Sequence, residues 1–369
     1  MEIFINNPVL STNIFIVIFI ITLLLTIRSK ASQEFFSQAV SQELKGLATL
    51  MIIFGHIGYF LVSDHRFLFP LSISAGVGVN LFLFLSGYGL ASSALSKSLS
   101  IFQFYKKRLA KLFIPMWIVL VVFLLLDYFI LSRTYSWTYI WHSFLGWFPV
   151  ADLASDLNSP LWYFSFILFY YLIFPLVFSK KYYWLTAIII YFISYYLLRY
   201  NTVNSVDVLK LYKVHLLAFP LGVLIAGLYF NRNRWISIIK TIKTILNHQS
   251  FTKKMIYYVI FFSLLFVVAY TAYHSNVGDK PMREQLTSLL TLLAVLVVFL
   301  IKKFDWKIFS LFGLYSYEIY LLHWPLLYRY DMLYKYIPAW LATVLYLVIF
   351  VALAWVLKKV SSLLVAKKH

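Results

Sequence analysis

Eleven stretches of this chain are nearly unbroken runs of apolar residues, each of roughly bilayer-crossing length. They lie near 9–27, 44–62, 76–95, 112–131, 161–178, 182–198, 211–230, 255–273, 286–301, 308–327 and 338–357. Short polar stretches, mostly basic, separate them. An α-helix satisfies all its backbone hydrogen bonds internally, so runs of this kind predict helices that cross lipid. The pattern predicts an all-α fold: a polytopic transmembrane helical bundle of about eleven spans. The whole chain, 1–369, reads as a single integral-membrane domain, with an extra N-terminal span at 9–27 and a core bundle over 44–357. No cation precedes the first run and no small-residue cleavage site follows it, so it reads as a retained span. Residues 31–43 are polar and predict a short surface helix. No repeat of paired interrupted helices, as in many transporters, is visible.

Composition agrees with this pattern. Of 369 residues, 62% are hydrophobic and 12% charged, and the mean hydropathy is +0.83. A soluble domain carries about twice that charged fraction. Cysteine is absent, which excludes disulfides, thiolate metal sites and cysteine nucleophiles. No metal site is expected. The net charge of +19 is read as topology signal. With the N-terminus outside, alternate loops place 23 of the 32 Lys and Arg inside and nine outside. The chain is therefore expected to lie N-out and C-in as a multi-pass protein, and the absence of Cys, the many Ile, Phe, Tyr and Lys residues and the lack of a targeting peptide fit a bacterial plasma membrane. The cations are dispersed over many loops, which argues against nucleic acid as a partner. The basic segment 231–254 reads as a cytoplasmic loop, its charge a solvated face or a lipid-headgroup contact.

Ionisable and polar groups inside lipid are costly, so they mark candidate chemistry. They are Lys45, His56, Asn80, Ser86, Asp127, His215, Glu318 and His323. Lys45 and His56 are eleven residues apart in the second run, close to three helical turns, so they share a face with a rise of roughly 16 Å between them. A cation near one surface and a group that exchanges protons near neutral pH thus lie on one line. In the tenth run Ser316, Tyr320 and His323 fall at i, i+4 and i+7, again one face. Tyr317 lies close to that face and Glu318 is displaced from it. Two imidazoles at comparable depth can line one cavity. The blander readings are a packing histidine and a polar seam that holds helices together. Asp127 reads as a solvated helix end. The basic stretch 97–111 is either topology signal or an anion cradle, in which Arg108 and Lys111, three apart, grip a phosphate together.

Five places, taken in order, resemble the acyltransferase-3 family of integral-membrane acyltransferases. They are Lys45 to His56; GVNLFLFLSGY at 78–88; FYKKRLAKLFIP at 104–115; SPLWYFSFILFYYLIFP at 159–175; and the segment carrying Ser316, Tyr317, Tyr320 and His323. There are departures. Lys45 and Lys111 stand where the family has arginine, Asn80 where an acidic residue is common, and Ile167 and Leu168 where some branches carry glutamates. The first span is extra to the common ten-span core, and a stand-alone form without an esterase-like domain is expected.

The resemblance implies acyl-CoA, acetyl-CoA foremost, as co-substrate, with no permanently bound cofactor. It implies a hydroxyl of a cell-surface carbohydrate, such as an exopolysaccharide or a lipid-linked glycan, as acceptor. It also implies His56 as the catalytic histidine and Arg108 with Lys111 as donor-site cations, Lys107 lying beside them. Acyl transfer needs a base for the attacking hydroxyl and donors for the developing oxyanion. His56 can be that base or can carry the acyl group first. Tyr320, Ser316 and Ser86 are the candidate donors. Lys45 is expected among the donor phosphates, with the thioester arm running up the Lys45–His56 line and His323 beside it. A transporter or flippase for lipid-linked glycans is the alternative, and a purely structural assembly partner a third reading.

Overall fold

The computed structural model describes residues 3–30, 36–97, 99–148, 151–152, 155–200, 212–231, 251–275 and 281–366. Most of the basic loop expected at 231–254, the start of the polar stretch at 31–43, and the last lysines lie outside the described residues. Helix α1 (Pro8–Leu25) leads into strand β1 (Ile27–Ser29). Helix α2 (Gln38–Gly55) continues as a π-helical turn, His56–Leu61. A 3-10 turn, Leu71–Ser74, opens α3 (Ala75–Ser96). Then come α4 (Ile101–Leu131), the short α5 (Trp137–Phe144), α6 (Trp162–Val177), α7 (Tyr183–Tyr200) and α8 (Ala218–Phe230). Helices α9 (Phe251–Tyr273) and α10 (Pro281–Ile301) precede strand β2 (Phe304–Trp306). The chain closes with α11 (Lys307–Leu314), α12 (Ser316–Tyr328) and α13 (Ala339–Ala366).

Nine helices among the described residues are long and apolar enough to cross a membrane. The expected eleven runs differ from this in two places. The run at 182–198 contains a shorter apolar stretch, Tyr183–Leu197. The run at 308–327 is two helices, broken at Tyr315. Within the described part of 31–43, the expected surface helix does not form as a separate piece. Ser37 caps α2, its Oγ accepting from Val40 N at 3.2 Å, so Gln38–Glu43 are the first turns of the second span. The basic stretch before the fourth span is likewise helical, because α4 already begins at Ile101.

Burial ranks the helices. In α2 and in α3, 61% of the spanning window is buried, against 22% in α1 and 11% in α9. The bundle is therefore built around α2 and α3, with α1 peripheral. Where lipid surrounds the helices, small residues let backbones approach and dispersion holds them. A methyl on Gly46 would lie 1.8 Å from the Phe309 carbonyl oxygen, and one on Gly313 1.8 Å from the Gln42 carbonyl oxygen. These reciprocal contacts seat α11 on α2. Gly87 and Gly222 do the same for α3 and α8, with a methyl on either reaching a carbonyl oxygen at 2.2 Å.

Two buried ionic networks pin the ends of the bundle. Glu43 receives Lys302 Nζ at 2.8 Å and the backbone N–H of Trp306. Lys302 also reaches Asp305 at 3.3 Å, and all three charged side chains are at most 1% exposed. Beside this cluster β1 pairs antiparallel with β2, Arg28 opposite Asp305, and ties the extra N-terminal span to the core. At the other end Asp127 is fully buried and paired with Arg329. Tyr135 and Tyr330 also donate to its carboxylate. Asp127 is thus not the solvated helix end that its position in the run suggested. A carboxylate at a helix end can be buried when an arginine from another segment neutralises it.

Candidate functional site

A cavity of about 930 Å³ runs through the bundle, within the usual size range for small-molecule sites. It has two chemically different ends. Lys45, Arg108, Lys111 and Lys358 line one; His56, Tyr59, Phe60 and Ser72 line the other. Lys45 and His56 both face it from α2 and the turn that continues it, so the cavity follows one helix for roughly 16 Å.

The His56 end owes its shape to local backbone. His56 is the first residue of the π turn, a feature that recurs at functional sites. Its glycine neighbours allow the 3-10 turn to close on it. A methyl on Gly55 would meet Ala75 Cβ at 2.6 Å, and one on Gly58 would meet Ser72 Cβ at 2.6 Å. The imidazole is edge-to-face with Trp324 (centroids 5.0 Å, 72°) and with Phe60 (5.9 Å, 65°). Its Nδ1 lies 2.7 Å from Nε2 of His323. The two rings are parallel within 3°, with centroids 5.0 Å apart. That separation is the N···N distance plus the two ring radii, so the rings meet edge to edge in one plane. On its far side His323 Nδ1 faces the carbonyl oxygens of Ile319 at 3.1 Å and Tyr320 at 2.9 Å. His323 is 1% exposed and stands behind His56 rather than on the cavity wall.

The remaining polar candidates divide. Ser316 lines the cavity, and its hydroxyl has no protein partner among the described residues. Tyr320 and Tyr317 also line it, but their hydroxyl protons go elsewhere. Tyr320 donates to the Pro160 carbonyl at 2.6 Å, and Tyr317 donates to the Leu112 carbonyl one residue after Lys111. Both therefore fasten α12 to its neighbours rather than present a donor. Glu318, displaced from the Ser316–His323 face, still reaches the cavity, because the space wraps around the start of α12. His215 lines it too, its ring parallel to Trp162 at 6.0 Å. His215 Nδ1 bonds Asn80 Oδ1 at 2.8 Å, and Asn80 Nδ2 donates to Ser288 Oγ at 2.6 Å. Asn80 thus orients His215 and has no surface on the cavity.

At the other end, Arg108 and Lys111 present one face of α4 to the cavity, one turn ahead of Pro115. Lys107 is exposed and not on the wall. The structure adds residues that sequence reasoning left in the tail: Lys358, Ser361 and Ser362 of α13. Lys358 Nζ donates to the Leu314 carbonyl at 2.5 Å and sits 5.1 Å over the Tyr315 ring, at the break between α11 and α12. The signal available was the apolar pattern of 360–366, which keeps the helix going beyond the two lysines. Among the described residues no ion pair engages Lys45, Arg108, Lys111 or Lys358. Positive charge without a protein counterion, in a cavity inside a bundle, attracts anions.

A model of the acyltransferase domain matches residues 44–359. The chain belongs to the acyltransferase-3 family. The match begins at the helix of Lys45 and closes just past Lys358, so the cavity is built almost wholly from the family's domain. Helix α1, Ser361 and Ser362 fall outside it. No curated protein and no solved structure matches the chain significantly. The protein is a multi-pass membrane acyltransferase.

Proposed function

We propose that this acyltransferase moves an acyl group, acetyl foremost, from acyl-CoA to a hydroxyl of a cell-surface carbohydrate, with His56 as the catalytic residue. The observation that carries this reading is one cavity joining His56, along one helix, to four cations that make no ion pair among the described residues. It suits a donor whose anionic end and reactive carbonyl are separated by a long flexible arm. Arg108, Lys111, Lys45 and Lys358 would take the phosphates. The thioester would then lie near His56. His56 would take the proton of the acceptor hydroxyl, or carry the acyl group itself before handing it on. Ser316, at the start of α12 beside the cationic end, is placed to hydrogen-bond the donor. The charge distribution of the loops supports a plasma-membrane protein with the cationic end inside and an acceptor reaching His56 from outside.

The test is transfer of labelled acetyl from acetyl-CoA by the purified protein in lipid nanodiscs, together with mass spectrometry of cell-surface glycans with and without the gene. Loss of acetyl from an otherwise exported glycan, and loss of transfer in His56→Ala, are the expected results. Accumulation of undelivered glycan would instead identify a transporter, and full activity in His56→Ala would remove His56 from the mechanism.

A further inference from the structure

We infer that His323 is the positioning residue that sets the tautomer of His56 and holds its proton during transfer. This rests on the acyl-transfer reading for its chemistry, though the tautomer itself does not. Carbonyl oxygens only accept hydrogen bonds. His323 Nδ1 faces two of them, from Ile319 and Tyr320, so the proton of His323 sits on Nδ1. With the ring uncharged, its Nε2 is an acceptor. The only hydrogen that can fill the 2.7 Å gap to His56 is then on His56 Nδ1. That leaves Nε2 of His56 with a lone pair, and among the described residues no protein group bonds to it. His56 lines the cavity, so the bare nitrogen is the one offered to substrate. The which-nitrogen question for one histidine is thus answered by the hydrogen bond on its other nitrogen.

The order is carbonyl, imidazole, imidazole, substrate. His323 holds the tautomer as a buried carboxylate does behind the histidine of a serine hydrolase, but without a negative charge in the bundle, and unlike that carboxylate it also takes the proton. The proton path balances. The acceptor O–H gives its proton to His56 Nε2 as the oxygen attacks the thioester carbonyl. The proton on His56 Nδ1 passes to His323 Nε2, whose ring is then cationic, with its Nδ1–H held by the two carbonyls. When the C–S bond breaks, His323 returns that proton to His56 Nδ1, and His56 Nε2 delivers the other to sulfur. An ester and a thiol are formed, and both rings end as they began.

Two measurements test this. In 15N-histidine NMR of the protein in nanodiscs, the resonances lost in His56→Ala should report a ring protonated at Nδ1 and bare at Nε2. A ring protonated at Nε2 overturns the inference whether or not the enzyme transfers acyl groups. In the transfer assay, His323→Leu should lower kcat roughly 100-fold or more with the donor KM unchanged. His323→Gln, whose amide oxygen can still accept from His56 Nδ1, should recover part of that loss. A His323→Leu enzyme within threefold of wild type overturns it. So does a His323→Gln enzyme that melts like wild type yet is as inactive as the leucine variant. Wild-type protein without any transfer would sink the acyl-transfer reading and leave the NMR result standing.

Discussion

Arg329 and Asp127, 202 residues apart in the chain, form an ion pair in which the arginine side chain is 4% and the aspartate 0% exposed. Arg329 also donates to the Asp156 carbonyl and to Tyr135. One guanidinium therefore joins the end of α4, the segment that follows it and the end of α12. Arg329→Met should lower stability by about 3–5 kcal/mol, because it leaves a buried carboxylate unpaired. Asp127→Leu combined with Arg329→Met should recover much of that. Thermal unfolding in detergent reads both, and a single variant as stable as wild type would show the pair to be dispensable.

Gly46→Ala and Gly313→Ala should each push α11 off α2, since the added methyl would sit 1.8 Å from a carbonyl oxygen. The expected cost is about 1–3 kcal/mol. Both glycines adjoin the cationic end of the cavity, so donor affinity should fall with stability. The pair is tested by melting and by acetyl-CoA titration on the same preparations.

Lys358→Met and Arg108→Ala should each raise the donor KM roughly 10-fold, the weight of one charge-assisted hydrogen bond, and leave kcat within twofold. Lys107→Ala, on an exposed residue off the cavity, should change neither. Equal effects of all three substitutions would point to general surface charge instead of a built site.

Asp156 lies in the segment between α5 and α6, where burial pushes its carboxyl from 3.8 up to about 6. A group whose folded value is raised is protonated more readily in the folded state, so its charge opposes folding. That cost is absent below about pH 4 and grows as pH rises through 6. Asp156→Asn should therefore stabilise the protein at pH 8 by at most about 3 kcal/mol and make little difference at pH 4. Melting curves of both proteins at the two values check the sign. A larger gain at the acid end would contradict it.

The runs of apolar residues were readable because a bilayer constrains length and polarity along a single chain, with no reference to any other segment. For the same reason helical periodicity was enough to put Lys45 with His56, and Ser316 with Tyr320. Boundaries were less readable at polar edges. Lys358 looked like the start of a tail because charge ended the apolar window, whereas the helix continues and presents that lysine to the cavity. Asp127 looked solvated because it stands near the end of its apolar run, and the arginine that neutralises it comes from 202 residues away.

The linear sequence determined the class of fold, the helices and the short list of polar groups that lipid would not tolerate without a purpose. Only the tertiary structure decided which of those groups meet. His56 finds His323 267 residues away, Tyr320 spends its hydroxyl on Pro160, and His215 is turned by Asn80. Transfer into lipid is a sum over residues that a sequence carries in order. A hydrogen bond is a distance and an angle between two atoms, and segments far apart in the chain have none until the bundle is packed.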